Sequence, residues 1–168
     1  MLRCAMVAVH KSDIHHIDLH FPGEATPPQF MANERNIALK TLLDHSHFKL
    51  NQNGNAPYGV ELSIQDNRLI FEVEDQKQTP LPMLVLSLKP YRRIIKDYFM
   101  MIESYESIRA TGNQVKLEAI DMGRRGLHNE GAEMMIDRLS DKIDMDLETA
   151  RGFFTLICCL QAGPKYRT

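Results

Sequence analysis

With 168 residues, 43% of them apolar and 25% charged, the chain has the composition of an ordinary globular domain and not of a disordered one. A domain of this length buries roughly 70% of its unfolded surface, so it needs no disulfide or metal staple. The net charge of −2 and pI of about 6.4 argue against a broad nucleic-acid-binding surface and leave room only for a local basic patch.

The amino terminus has one early charge, Arg3, and then a short apolar run, Cys4 to Val9, closed by His10-Lys11-Ser12-Asp13. That is shorter than the roughly 7–15 residues of a secretory core, and no apolar stretch approaches the ~20 residues of a membrane span. The expectation is a soluble, cytoplasmic, single-domain protein with residues 1–13 and 162–168 as flexible tails. Cys4, Cys158 and Cys159 have no metal-ligand or bridging spacing. They are expected reduced, with the last two buried.

In chain order, Ile14 to Leu19 reads as a short strand, and Phe21 to Pro28 as a loop because of its glycine and two proline clusters. Gln29 to Asp44 reads as a helix, with Phe30, Asn33/Glu34, Ile37, Ala38 and Leu42 near one stripe. After a break at Asn51 to Pro57, Val60, Leu62 and Ile64 alternate with polar residues. Asp66-Asn67 makes a turn, and Leu69, Phe71 and Val73 alternate again, which is the pattern of a hairpin with one face on a core. A third strand, Met83 to Leu88, follows the Pro80–Pro82 loop, and local connections make the three an antiparallel meander.

The second half is helical. Lys89-Pro90 starts a helix whose Tyr91, Ile94, Ile95, Tyr98, Ile102, Tyr105 and Ile108 carry the strongest helical period in the chain, ended by Gly112. A short helix from Val115 to Met122 is expected to break at Gly123, and another to run from about Gly126 to Leu139. The last, Asp146 to about Leu160, opens on an N-cap residue and turns apolar all round from Phe153, so it should be central. A buried strand over Phe153 to Leu160 is the alternative. The fold class expected is α+β, an antiparallel meander of three to four strands against four to five helices over one sheet face.

Two runs are familiar: Leu86-Ser87-Leu88-Lys89-Pro90-Tyr91-Arg92-Arg93-Ile94-Ile95-Lys96-Asp97-Tyr98-Phe99-Met100 and Glu118-Ala119-Ile120-Asp121-Met122-Gly123-Arg124-Arg125-Gly126-Leu127-His128-Asn129-Glu130-Gly131. With Asp146 to Leu160, they resemble uncharacterised protein family 0262, small bacterial proteins found chiefly in alphaproteobacteria. The likeness covers roughly Tyr58 to Leu160 and leaves out the His-rich start. It implies a bacterial cytosolic protein and brings no activity, cofactor or catalytic residue with it.

Among candidate constellations, His10, His15, His16 and His20 come first. On a strand, His16, Asp18 and His20 share one face at steps of about 7 Å, within reach of a zinc ion. The spacing matches no known site, and solvent-exposed histidines without a metal are expected. His128-Asn129-Glu130 matches part of the zinc-deaminase pattern, but its Pro-Cys-x-x-Cys partner is missing. Adjacent Cys158 and Cys159 point about 100° apart on a helix and do not replace it. No cofactor motif occurs.

Lys89, Arg92, Arg93 and Lys96 make a basic cluster at a helix start, either a solvated face or an anion or partner site. Gly123-Arg124-Arg125-Gly126 is the most suggestive segment. A glycine turn, free N–H groups at the next helix start and two guanidinium forks suit a phosphate or carboxylate. The alternative is that an arginine pairs with Asp121, Glu130 or an acid of the long helix and locks two helices together. The leading expectation is therefore a binding protein for an anionic ligand, nucleotide or partner, with a homodimer as one option. Its contacts would be Arg124, Arg125, His128, Asn129, Arg92 and Arg93. The other two readings are an enzyme for a phosphorylated small molecule, with His128 as general acid/base and Glu130 orienting it, and a structural or assembly subunit.

Overall fold

The computed structural model describes residues 12–21, 29–51 and 54–162. Strand β1 (Ile14–His20) leads to helix α1 (Gln29–Asp44), then to the short β2 (Phe48–Leu50). Strands β3 (Tyr58–Gln65), β4 (Arg68–Glu74) and β5 (Leu84–Ser87) form the expected meander. A 3₁₀ turn at Lys89–Tyr91 opens α2 (Arg92–Arg109). It is followed by α3 (Gln114–Leu139), the short β6 (Ile143–Met145) and α4 (Leu147–Gln161). Among the described residues no helix is long and apolar enough to cross a membrane.

The hairpin follows its alternation. Val60, Leu62 and Ile64 lie opposite Val73, Phe71 and Leu69, and Asp66 and Asn67 turn the chain with φ of 50° and 59°. Paired positive φ values are what a two-residue hairpin turn requires. The sheet order is β1-β3-β4-β5, and β1 runs parallel to β3. The sheet is therefore mixed and not purely antiparallel, because the connection from β1 to β3 passes through α1 and β2 instead of a tight turn. β2 and β6 pair separately as a two-stranded ribbon.

The run Phe153 to Leu160 is helix, not strand. Asp146 caps α4 by accepting from Thr149 N at 2.9 Å, and every residue from Gly152 to Gln161 is buried. Phe153 reaches Phe71 on the sheet and Phe48 on the ribbon, with ring centroids 5.6 Å apart in each case. α1 and α3 flank α4. A Cβ on Gly152 would stand 2.9 Å from Leu42 Cγ of α1, so that glycine sets the close approach. The opposite sheet face carries His16, Asp18, His20, Glu61 and Glu72 toward solvent.

Three expectations change. The break at Gly123 does not occur: α3 runs for 26 residues through Gly123 and Gly126 from an N-cap at Asn113. Two interior glycines cost only about 1 kcal/mol each, while packing on α2 and α4 secures the helix on both sides. Asp13, placed in a flexible tail, is buried and accepts from Phe48 N at 2.8 Å. On α1, Met31, Ala38 and Leu42 are buried but Ile37 is 64% exposed, so the buried stripe is narrower than expected. His10, Cys4, the 22–28 loop and residues 163–168 lie outside the described residues.

Candidate functional site

The continuity of α3 removes the Arg-Arg loop. Arg124 and Arg125 sit in mid-helix, where each backbone N–H is spent on the preceding turn, so no helix N-terminus is present to receive an anion. The anion they meet is the chain's own. Arg124 donates from Nε at 3.1 Å and from Nη2 to Asp121 Oδ1, and from Nη1 to Glu34 Oε1 of α1 at 2.7 Å. Arg125 Nε reaches Asp121 Oδ2 at 3.1 Å, and its side chain is 66% exposed. Arg124 is only 19% exposed and Glu34 12%, so the pair joins α1 to α3 largely out of water. The Arg124 hydrogen bond holds Asp121 below the usual carboxylate range, whereas burial pushes Glu34 above it despite the guanidinium. Arg124 is thus committed first to Asp121.

The basic cluster of α2 is also on the surface. Arg93 bonds Asp97 at 3.1 Å and Glu130 at 2.6 Å, which ties α2 to α3. Arg92 and Asn129 are exposed and make no hydrogen bond or ion pair among the described residues. The six expected contacts therefore do not converge. His16 Nε2 donates to Asp18 Oδ2 at 2.9 Å, His20 lies 3.5 Å from Glu61, and no group of three or more metal-binding side chains forms among the described residues.

What does converge is a cleft of about 260 Å³ between α1, α3 and α4, lined by Glu34, Arg124, His128, Glu148, Arg151 and Thr155 among others. His128 is 5% exposed and stacks on Tyr98 of α2, with ring centroids 5.1 Å apart and planes inclined by 27°. Burial, with Arg124 and Arg151 nearby, pulls its pKa down to about 4, so the imidazole is neutral at pH 7. Its Nε2 is buried without a hydrogen-bond partner, and so is Nε of Arg151. Arg151 and Glu148 make no ion pair among the described residues, although they stand three apart on one helix face. A second groove, about 420 Å³, lies on the open sheet face by Glu61, Glu72, Glu74 and Met83. Its carboxylates are open to water, which satisfies them.

Residues 11–163 match the model of an uncharacterised protein family, UPF0262. The chain belongs to the UPF0262 family. A UPF0262 protein of Paramagnetospirillum magneticum is 42% identical over 151 residues, covering 90% of this chain and 96% of its own. One of Mesorhizobium japonicum is 45% identical over 139 residues, 82% and 85% of the two chains. One of Rhodospirillum rubrum is 46% identical over 130 residues, 77% and 80%. No solved structure matches. The UPF0262 match begins at residue 11, well before the Tyr58 where the sequence resemblance began.

Arg151 and Glu148 on the cleft wall, and Tyr98 against His128, carry no motif in the sequence of this UPF0262 chain. One signal was available for Arg151: it is the lone charge between Thr149 and Leu160 in a helix that is otherwise apolar or small there. A cation in such a helix needs a cleft or a partner.

Proposed function

We propose that this UPF0262 protein binds a small acidic molecule in the cleft between α1, α3 and α4. One observation carries the reading: Arg151, without an ion pair among the described residues, and the buried Nε2 of His128, without a hydrogen-bond partner among them, belong to the same concavity. An unsatisfied buried polar atom costs about 1–3 kcal/mol, which an acceptor on a ligand would recover. Nε2 of His128 is shut off from solvent, so engagement turns the ring against Tyr98. The acid of the ligand accepts from Arg151 and from His128 in its neutral, Nε2-protonated form. Arg124, held by Asp121 and Glu34, has its charge met within the chain and offers the ligand no free donor fork.

Size narrows the class. Sites for drug-sized ligands occupy roughly 300–1,000 Å³, and a cleft of about 260 Å³ suits a small carboxylate or phosphate better than a nucleotide. The acid–base reading of His128 gains no support here. Glu130, its expected partner, is engaged by Arg93, and positions two apart on a helix diverge by about 200°.

The test is a thermal-shift panel of small carboxylates and inorganic phosphate on the full chain. A ligand at 100 times its Kd stabilises by roughly 2.7 kcal/mol. Arg151→Ala should remove the shift while Arg92→Ala keeps it. Equal responses of both variants, or no response of the parent to any acid, would refute the assignment.

A further inference from the structure

We infer that the ligand of this cleft is a small zwitterion, an acidic group and an ammonium group a few bonds apart, as in an α-amino acid. The inference rests on the reading of the cleft as a binding site, and its ground is charge balance. Among the described residues, two cations and two carboxylates line the cleft: Arg124, Arg151, Glu34 and Glu148. Arg124 is already engaged by Asp121 and by Glu34, the latter at 2.7 Å. Arg151 and Glu148 remain, one of each sign, one helical turn apart and without an ion pair between them.

A ligand with only an acid would be attracted by Arg151 and opposed by Glu148 at the rim and Glu34 inside. A ligand with only an amine would meet the reverse. A molecule carrying both groups finds a partner for each and adds no net charge to the cleft. Its carboxylate accepts from Arg151 and from Nε2 of His128, and its ammonium donates to Glu148. Thr155, also on the lining, donates its hydroxyl to the Arg151 carbonyl at 3.0 Å. That keeps the α4 wall short and polar beside Arg151. The volume agrees with a molecule of amino-acid size.

Isothermal titration calorimetry on the full chain tests this, pairing each standard L-amino acid with its des-amino acid (L-alanine with propanoate) and its decarboxylated amine (ethylamine). At least one amino acid should bind more than about tenfold tighter than both of its counterparts. Glu148→Gln, a change at an exposed position that leaves the fold intact, should abolish the advantage over the des-amino acid without weakening the des-amino acid itself. Carboxylates that bind as tightly as their amino acids would overturn the zwitterion inference and leave the cleft as an acid site. Absence of binding by every amino acid, carboxylate and amine would overturn the cleft reading as well. An advantage that survives Glu148→Gln would remove Glu148 as the ammonium partner and sink the inference as stated.

Discussion

Gly131 of α3 lies against the ring of Phe154 on α4 so closely that a Cβ there would stand 2.5 Å from Phe154 Cε1. The two helices pack at this contact, which holds His128 one turn earlier over the cleft. Gly126, two residues before His128, has nothing within 4 Å of the same hypothetical atom. Opposite outcomes follow in one helix. Gly126→Ala should stabilise by roughly 0.5–1 kcal/mol through helix propensity, and Gly131→Ala should destabilise by about 1–3 kcal/mol through overpacking. Urea denaturation of both variants checks this. A destabilising Gly126→Ala would mean that a turn, and not a helix, occupies the Arg-Arg segment.

Ile95 is 1% exposed on the stripe that α2 turns inward with Ile94, Tyr98 and Ile102. Ile95→Ala should cost about 2–5 kcal/mol as a core cavity. A loss under about 0.5 kcal/mol would contradict the burial of that face.

The two neighbouring arginines should separate on stability. Arg124→Ala leaves Glu34, already short of solvent, and Asp121 without their shared cation. The cost is expected at about 3 kcal/mol, as for a broken pair that is mostly buried. Arg125→Ala removes a side chain in water and should cost under about 0.5 kcal/mol. Equal small losses would show that Arg124 does not lock α1 to α3.

Acid should weaken the fold through His128. Folded, the ring takes a proton only near pH 4; unfolded, it takes one near 6.5. The unfolded chain therefore binds more protons between those values, and stability falls as pH drops from about 6.5 to 4, by on the order of 3 kcal/mol in total. Glu34 works in the opposite sense, because its raised pKa favours the folded state as it protonates. Melting curves of the parent minus those of His128→Gln isolate the histidine. A difference that does not change across this range would contradict a buried neutral imidazole.

Local pattern carried the parts of this fold that are local. The hairpin could be read from Val60 to Val73 because each alternating residue meets a partner a few positions away, α1 from its stripe, and α4 from the Asp146 cap and the apolar run that follows it. The parallel pairing of Ile14–His20 with Tyr58–Ser63 depends on a crossover that no short window contains, and β2 and β6, three residues each, are too short to show a period. Gly123 and Gly126 read as a break because propensity is intrinsic while the packing that overrides it is tertiary. The same limit applies to the site. His128 and Arg124 stood out as residue types in an unusual run, but Arg151 and Glu148 come 20 or more positions later and reach the cleft only through the α3–α4 contact at Gly131.

The cleft is a ligand site only if the buried imidazole of His128 meets a ligand. Nitrogen NMR of the histidine rings, recorded at pH 7 while L-amino acids, small carboxylates or phosphate are added, observes that atom directly. The Nε2 resonance of His128 is expected to shift in a saturable way with a bound acid, and the shift to vanish in Arg151→Ala while the ring stays neutral and buried. A His128 resonance unmoved by every one of these ligands at saturating concentration would contradict the ligand site.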